Sequence, residues 1–242
     1  MGDRMETAMS KVTDFLLDLV FPNRCPFCLK MISWDQLCCE ECGSNLEKAD
    51  FCPVCGMQHC VCGTALPRYD GCAVAAPYIG SVRKGVLQFK YHYGFNFAKL
   101  YAPRLARLVK EYGFADGSSV ITAVPMTYAR RNTTGYNQAE YIAKRLSSLL
   151  GIPCDFRLLK KLGKAVQHEL GASQRKSAAS ASFSVERYHR DISGRTVILC
   201  DDIITTGSTL SGCAGILKSI GAKRVYCAVL CGTVLENKGE SL

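Results

Sequence analysis

The chain of 242 residues contains no long uninterrupted apolar run. A helix that crosses a bilayer needs about 20 mostly apolar residues, so no transmembrane segment is expected. The nearest approach lies at the N-terminus, where Ala8, Met9, Val12, Phe15, Leu16, Leu19 and Val20 recur at helical spacing. Asp14 and Asp18 interrupt that stripe, and Pro22 and Asn23 close it. The pattern predicts an N-terminal amphipathic helix within residues 1–24 that packs on the rest of the protein, with a membrane-surface role as the alternative; it is not the core of a secretion signal. The chain accordingly reads as cytoplasmic. Two glycine fingerprints are also missing. Neither GxxxxGK followed by Ser or Thr nor GxGxxG occurs, which argues against a P-loop and a Rossmann dinucleotide turn. No interleaving of aromatic and basic residues of the RNP kind is present either, which argues against an RNA-reading sheet.

An apolar fraction of 48% suffices for a packed core and argues against wholesale disorder. The length predicts one large domain with a small module. Charge is unevenly divided. Residues 1–70 carry 6 Lys and Arg against 10 Asp and Glu, whereas residues 71–242 carry 24 against 11. The basic part is suited to phosphate, either on a small ligand or on nucleic acid.

Cysteine is abundant, with 15 in all and nine of them between Cys25 and Cys62. In a reducing compartment such density predicts metal and not disulfides. The pairs CPFC (Cys25, Cys28), CEEC (Cys39, Cys42) and CPVC (Cys52, Cys55) are followed by HCVC, which ends on Cys62. A Cys-x-x-Cys turn aims two thiolates at one point, and two such turns complete a tetrahedral zinc site. Consecutive pairing assigns Cys25, Cys28, Cys39 and Cys42 to one site and Cys52, Cys55, Cys60 and Cys62 to another, so one or two structural zinc ions are expected in a module over residues 25–66. His59 competes with Cys60 for the second site, and Cys38 reads as a bystander. Cys154, Cys200, Cys213, Cys227 and Cys231 sit in apolar contexts and read as core.

Beyond residue 70, helical and strand periods alternate, which predicts an α/β fold with a mostly parallel sheet flanked by helices. Strands are expected at Cys72–Pro77, Val120–Val124, Cys154–Leu159, Val197–Cys200 and Val225–Leu230. Helices are expected at Phe97–Tyr112, Asn137–Leu150 and from Leu210 to a stop at Gly221. Residues 160–182 are basic and aperiodic, as in a mobile loop.

One stretch, VILCDDIITTGSTL (Val197–Leu210), places two acids between the strand and the last helix, at the edge where α/β sheets hold ligands. Thr205, Thr206, Gly207, Ser208 and Thr209 have the makings of a phosphate cradle: a tight turn, hydroxyls, peptide N–H groups and the positive end of a helix. Asp201 and Asp202 beside a phosphate need hydroxyls or a cation as partners, and a sugar carrying Mg²⁺ supplies both. The ligand implied is a sugar phosphate.

That stretch resembles the signature of the type I phosphoribosyltransferases. More narrowly, an N-terminal helix running into FPNRCPFC, the cysteine module, FKYHYG (Phe89–Gly94), VPM followed by RR and GYNQAE (Val124–Glu140), and the acid-loop motif resemble, in that order, the ComF family. The resemblance implies a double zinc ribbon joined to a type I phosphoribosyltransferase-like domain over residues 71–235, with a polar tail at 236–242. It further implies binding of phosphoribosyl pyrophosphate (PRPP) or a related sugar phosphate with Mg²⁺, transfer of ribose 5-phosphate to an acceptor, and a link to competence and DNA uptake. On this resemblance Asp201 and Asp202 are the catalytic candidates and contact the ribose. Thr205–Thr209 hold the 5′-phosphate, and Pro125, Met126 and Thr127 form the loop near pyrophosphate. Lys90, Arg130 and Arg131 are candidate phosphate or nucleic-acid contacts, Gln138 is a polar site residue, and Lys164 and Arg175 on the basic loop can close over the ligand. Two positions depart from the family pattern: Thr134 stands where it has Arg, and Ala178 where it has Asn. The alternative is a non-catalytic PRPP sensor, or a factor that handles single-stranded DNA with the same fold.

Overall fold

The structure, a computed structural model, describes residues 22–162 and 182–234. The helix expected ahead of Pro22, the loop positions Lys164, Arg175 and Ala178, and the C-terminal tail lie outside the described residues. Six strands are described: β1 (Gly71–Pro77), β2 (Val120–Ala123), β3 (Leu159–Lys161), β4 (Phe183–Val185), β5 (Thr196–Ile204) and β6 (Arg224–Gly232). Four of them form a parallel sheet in the order β1-β6-β5-β2, and β3 and β4 form a separate antiparallel pair. The helices are α1 (Glu40–Ser44), α2 (Gly80–Tyr91), α3 (Phe95–Glu111), α4 (Tyr128–Thr134), α5 (Gln138–Leu150) and α6 (Ser208–Ser219).

The parallel strands were legible because they lack alternation. Every residue of β1 is buried, as is every residue of β6 except Arg224. Parallel strands covered on both faces read as continuous apolar runs. The cysteines in them are packing residues: Cys200, Cys227 and Cys231 are fully buried, and burial holds the thiols of Cys200 and Cys227 well above their ordinary pKa, away from reactive thiolate.

Several elements differ from the sequence reading. The expected strand at Cys154–Leu159 is reduced to one bridge, Ile121 with Cys154. Asp155 Oδ1 accepts the N–H of Arg157 and turns the chain away from the sheet, and only at Leu159 does β3 begin. Lys160 and Lys161 therefore belong to a strand, held by pairing with Ser184 and Phe183, and not to the loop assigned to 160–182. Helix α2 was hidden by its glycines, although Val82, Val86 and Phe89 are its buried stripe. Strand β5 runs four residues past Cys200 and so carries the acid pair within it, because Asp201, Ile203 and Ile204 still pair with Val229, Cys231 and Gly232.

The chain divides into two compact units. One holds the described residues to Glu47 together with Gly80–Leu100; the other holds Lys48–Ile79 and Tyr101 onward. In the first, Phe27 meets the Phe97 ring edge-on at 6.1 Å, and the Glu47 carboxylate accepts both the N–H and the hydroxyl of Ser81 at the start of α2. The second contains the sheet, on which Phe114 stacks against Tyr226 at 4.2 Å. Among the described residues no helix is long and apolar enough to cross a membrane.

Candidate functional site

The cysteines gather into two clusters of four, Cys25, Cys28, Cys39 and Cys42, and Cys52, Cys55, Cys60 and Cys62, each with its ligand atoms within 4.8 Å of one another. His59 and Cys38 belong to neither. The two leading knuckles share one backbone pattern. Cys25 N–H bonds Lys30 O while Leu29 N–H bonds Cys25 O, and Cys52 N–H bonds Met57 O while Gly56 N–H bonds Cys52 O. In each, the residue after the second cysteine is left-handed, Leu29 at φ 64° and Gly56 at φ 71°. The halves that complete them differ: Cys42 lies on α1, which Cys39 caps, whereas Cys60 and Cys62 lie outside any helix, with Cys62 opening the turn 62–64. A tetrahedral ion with metal–sulfur bonds of about 2.3 Å spaces its sulfurs roughly 3.8 Å apart. Cys28 and Cys39 Sγ are 3.6 Å apart and Cys52 and Cys62 Sγ 3.9 Å, so both clusters fit such an ion. Burial raises the Cys25 and Cys52 thiols, but N–H groups of the turns outweigh it and bring each to about 7, toward the thiolate a metal binds.

The second assembly lies at the carboxyl edge of the parallel sheet. Gly207, at φ 70° and ψ 1°, turns the chain from β5 into α6, and no side chain caps that helix. Apart from Ser208 N–H, which donates to Thr206 Oγ1 at 3.4 Å, the N–H groups of its first turn can face an anion, with the positive end of the helix behind them. Asp201, Ile203, Thr205, Gly207, Ser208 and Thr209 line one cup of about 30 Å³. An acid and the N–H-rich loop thus face the same small space. Asp202 is not among the residues that line it; its N–H donates to Asp201 Oδ1 at 2.9 Å. Thr206 is not among the residues that line it either; its Oγ1 accepts from Ser208 N–H at 3.4 Å and lies 3.0 Å from Ser208 Oγ.

Pro125, Met126 and Thr127 reach this edge from the neighbouring strand. Ala123 is paired with Cys200 and Val124 N–H bonds Cys200 O, so the Pro125 loop leaves the sheet level with Asp201. Thr127 caps α4, accepting from Arg130 N–H, and the Arg130 side chain is exposed. Arg131 is paired with Glu140, which occupies its guanidinium. Thr134 Oγ1 lies 2.9 Å from the carbonyl oxygens of Arg130 and Tyr136 and 3.7 Å from Met126 Sδ. Gln138 is buried in the first turn of α5. Lys90, at the end of α2, belongs to the other compact unit.

Asn137 was not singled out in the sequence, yet it ties this edge together. It is 5% exposed; its Oδ1 caps α5 by accepting from Ala139 N–H, and its Nδ2 donates to Val124 O at 3.1 Å. The cap was signalled by an Asn ahead of a helical stripe, but the bond to Val124 was not. Replacing Asn137 with Ala removes the cap and orphans a buried carbonyl, a loss of about 2 to 4 kcal/mol. Thermal unfolding followed by circular dichroism should show the midpoint lowered by several degrees.

The family described as "Phosphoribosyl transferase domain" matches residues 94–241. Competence protein F of Haemophilus influenzae is 27% identical over 198 residues, covering 77% of this chain and 86% of that protein. DNA utilization protein YhgH of Escherichia coli strain K12 is 28% identical over 232 residues, covering 89% of this chain and 100% of that one. The crystal structure of a purine phosphoribosyltransferase from Pyrococcus horikoshii superposes with a TM-score of 0.35 at 20% identity, over 59% of this chain and 75% of that one. With the paired cysteine clusters ahead of a parallel sheet and an acid-bearing strand that enters an anion-ready helix, the chain belongs to the phosphoribosyl transferase domain family, as a member of the ComF group that includes competence protein F and YhgH.

Proposed function

We propose that the chain binds PRPP, or a related sugar phosphate, at the carboxyl edge of its sheet and transfers ribose 5-phosphate to an acceptor. The observation that carries this reading is the single cup shared by Asp201 and the loop Thr205–Thr209. The loop's N–H groups and hydroxyls take the 5′-phosphate. Asp201 and Asp202 accept from the ribose hydroxyls. In the transfer, the bond from ribose C1 to pyrophosphate breaks, the acceptor's nucleophilic atom bonds C1, and the acceptor loses a proton. Mg²⁺, a hard cation that favours oxygen donors, would bind with PRPP near Asp201 and Asp202 and offset the charge of the departing pyrophosphate.

Thr134 tempers the catalytic part. Its hydroxyl brings no positive charge close to the Met126 loop, where the family pattern has Arg. Electrostatic stabilisation of the leaving group is the largest usual source of rate, so turnover should be slow relative to binding. In the two four-cysteine clusters, zinc would serve structure, since closed four-thiolate sites leave no open position for a substrate. The basic excess after residue 70 and the names of the relatives favour single-stranded DNA as a second ligand.

The test is calorimetric titration of PRPP with Mg²⁺ into the zinc-loaded full chain, beside Asp201→Asn/Asp202→Asn. Loss of two hydrogen bonds to charged groups predicts affinity at least about 100-fold weaker in the double variant. No heat of binding from the folded wild type would overturn the sugar-phosphate reading. Salt-sensitive binding of single-stranded DNA would then take its place.

A further inference from the structure

The second cysteine cluster lies in the same compact unit as the anion loop, and its leading knuckle is packed against that loop. The contact has three parts. Tyr69, 4% exposed, donates its phenol hydrogen to Cys55 O at 2.7 Å. The phenol oxygen sits against Gly207: a Cβ built there would lie 2.8 Å from Tyr69 Oη and 3.2 Å from Met57 Cε. At the root of the loop, a Cβ on Gly56 would lie 3.1 Å from Ile204 Cδ1, and Arg68 N–H bonds Ser211 Oγ at 2.8 Å in the first turn of α6. Beside these contacts, a cavity of about 180 Å³ opens between Met57, Val61 and Tyr69 on one side and Thr206, Gly207 and Ser208 on the other. The loop is therefore held at a few points with free room next to them, and loosening the knuckle gives it somewhere to go.

We propose that Tyr69 and Met57 are positioning residues that couple the Cys52–Cys62 cluster to the loop Thr205–Thr209, so that a metal-filled cluster holds the loop in its anion-binding form. The affinity consequence rests on the sugar-phosphate reading above; the coupling does not. Once metal is lost, the knuckle is left to its backbone bonds, such as Gly56 N–H to Cys52 O, so the Cys55 carbonyl is held less firmly, Tyr69 has a looser anchor, and the αL turn at Gly207 loses part of its support.

The experiment is amide hydrogen exchange on the full chain without ligand, comparing zinc-loaded protein, chelator-treated protein, Tyr69→Phe and Met57→Ala. Tyr69→Phe keeps the ring and removes only the hydrogen bond, which predicts protection of the Ser211 N–H, bonded to Gly207 O and the readout of the loop in every sample, lowered about 10-fold. Zinc content and exchange in β5 and β6 should not change; a merely structural role would speed those strands as well. Chelation should lower protection of the loop further, and Met57→Ala should lower it without removing zinc. Loop exchange that is the same in all four samples overturns the coupling, as does loss confined to β5 and β6. Titration of inorganic phosphate and of PRPP into the same samples separates the two claims. Weaker binding in step with the faster exchange supports both. Binding of neither by the wild type, with the loop still responding, leaves the coupling standing and removes the sugar-phosphate reading.

Discussion

Removal of metal by a high-affinity chelator under reducing conditions should unfold the knuckle around Cys25, Cys28, Cys39 and Cys42. This short segment has little apolar burial of its own: among its residues only Cys25, Pro26 and Phe27 are buried, and α1 buries no side chain. A structural zinc ion in a small peptide contributes about 10–16 kcal/mol of folding free energy, against a total of about 5–15 kcal/mol for a typical domain. No packing in residues 22–47 can replace it. Amide exchange should rise to the unprotected rate across those residues, while β5 and β6, most of whose side chains are buried without any metal, keep their protection. Zinc added back should restore the knuckle. If protection in 22–47 survives complete metal removal, the clusters are not structural metal sites.

A Leu199→Ala substitution should cost about 2–5 kcal/mol, the usual range for a large core residue cut to Ala. Leu199 is fully buried in the middle of β5, which is flanked by strands on both sides, with Thr122 of β2 and Cys227 of β6 as its register partners. The cavity left in a sheet covered on both faces has no solvent-side neighbour that can collapse into it. Urea unfolding should show a lower midpoint with an unchanged slope. Leu199→Met, close in volume, should lose less than about 1.5 kcal/mol. Similar midpoints for the two variants would mean that this strand is not the centre of the core.

The ligand pairing illustrates how far local pattern reaches. Each Cys-x-x-Cys turn fixes two thiols within four residues, so the leading half of each cluster was evident. The choice between His59 and Cys60 was not, because consecutive residues on a turn point apart and only the fold decides which one faces the other thiols. The acid-loop motif was read from its order of residues, yet its cup was not. Asp201 lines it and Asp202 does not, an outcome set by how far β5 continues to pair with β6. The resemblance made Arg131 a candidate phosphate or nucleic-acid contact, but its pairing with Glu140, nine residues on, could be shown only by the fold.

By itself the sequence determined the parallel strands, three of the six described helices, the cysteine knuckles and the position of the loop Thr205–Thr209 between strand and helix. All of these follow from interactions among residues a few positions apart, or from apolar runs that only a covered sheet can bury. The tertiary structure alone decided that the second cysteine cluster is grouped with the sheet and the first is not, and that Tyr69 sits beneath Gly207. Contacts such as Arg68 with Ser211 join residues 143 positions apart. No local spacing encodes such a meeting; it exists only once the chain has folded and the packing of every intervening element has brought the two ends together.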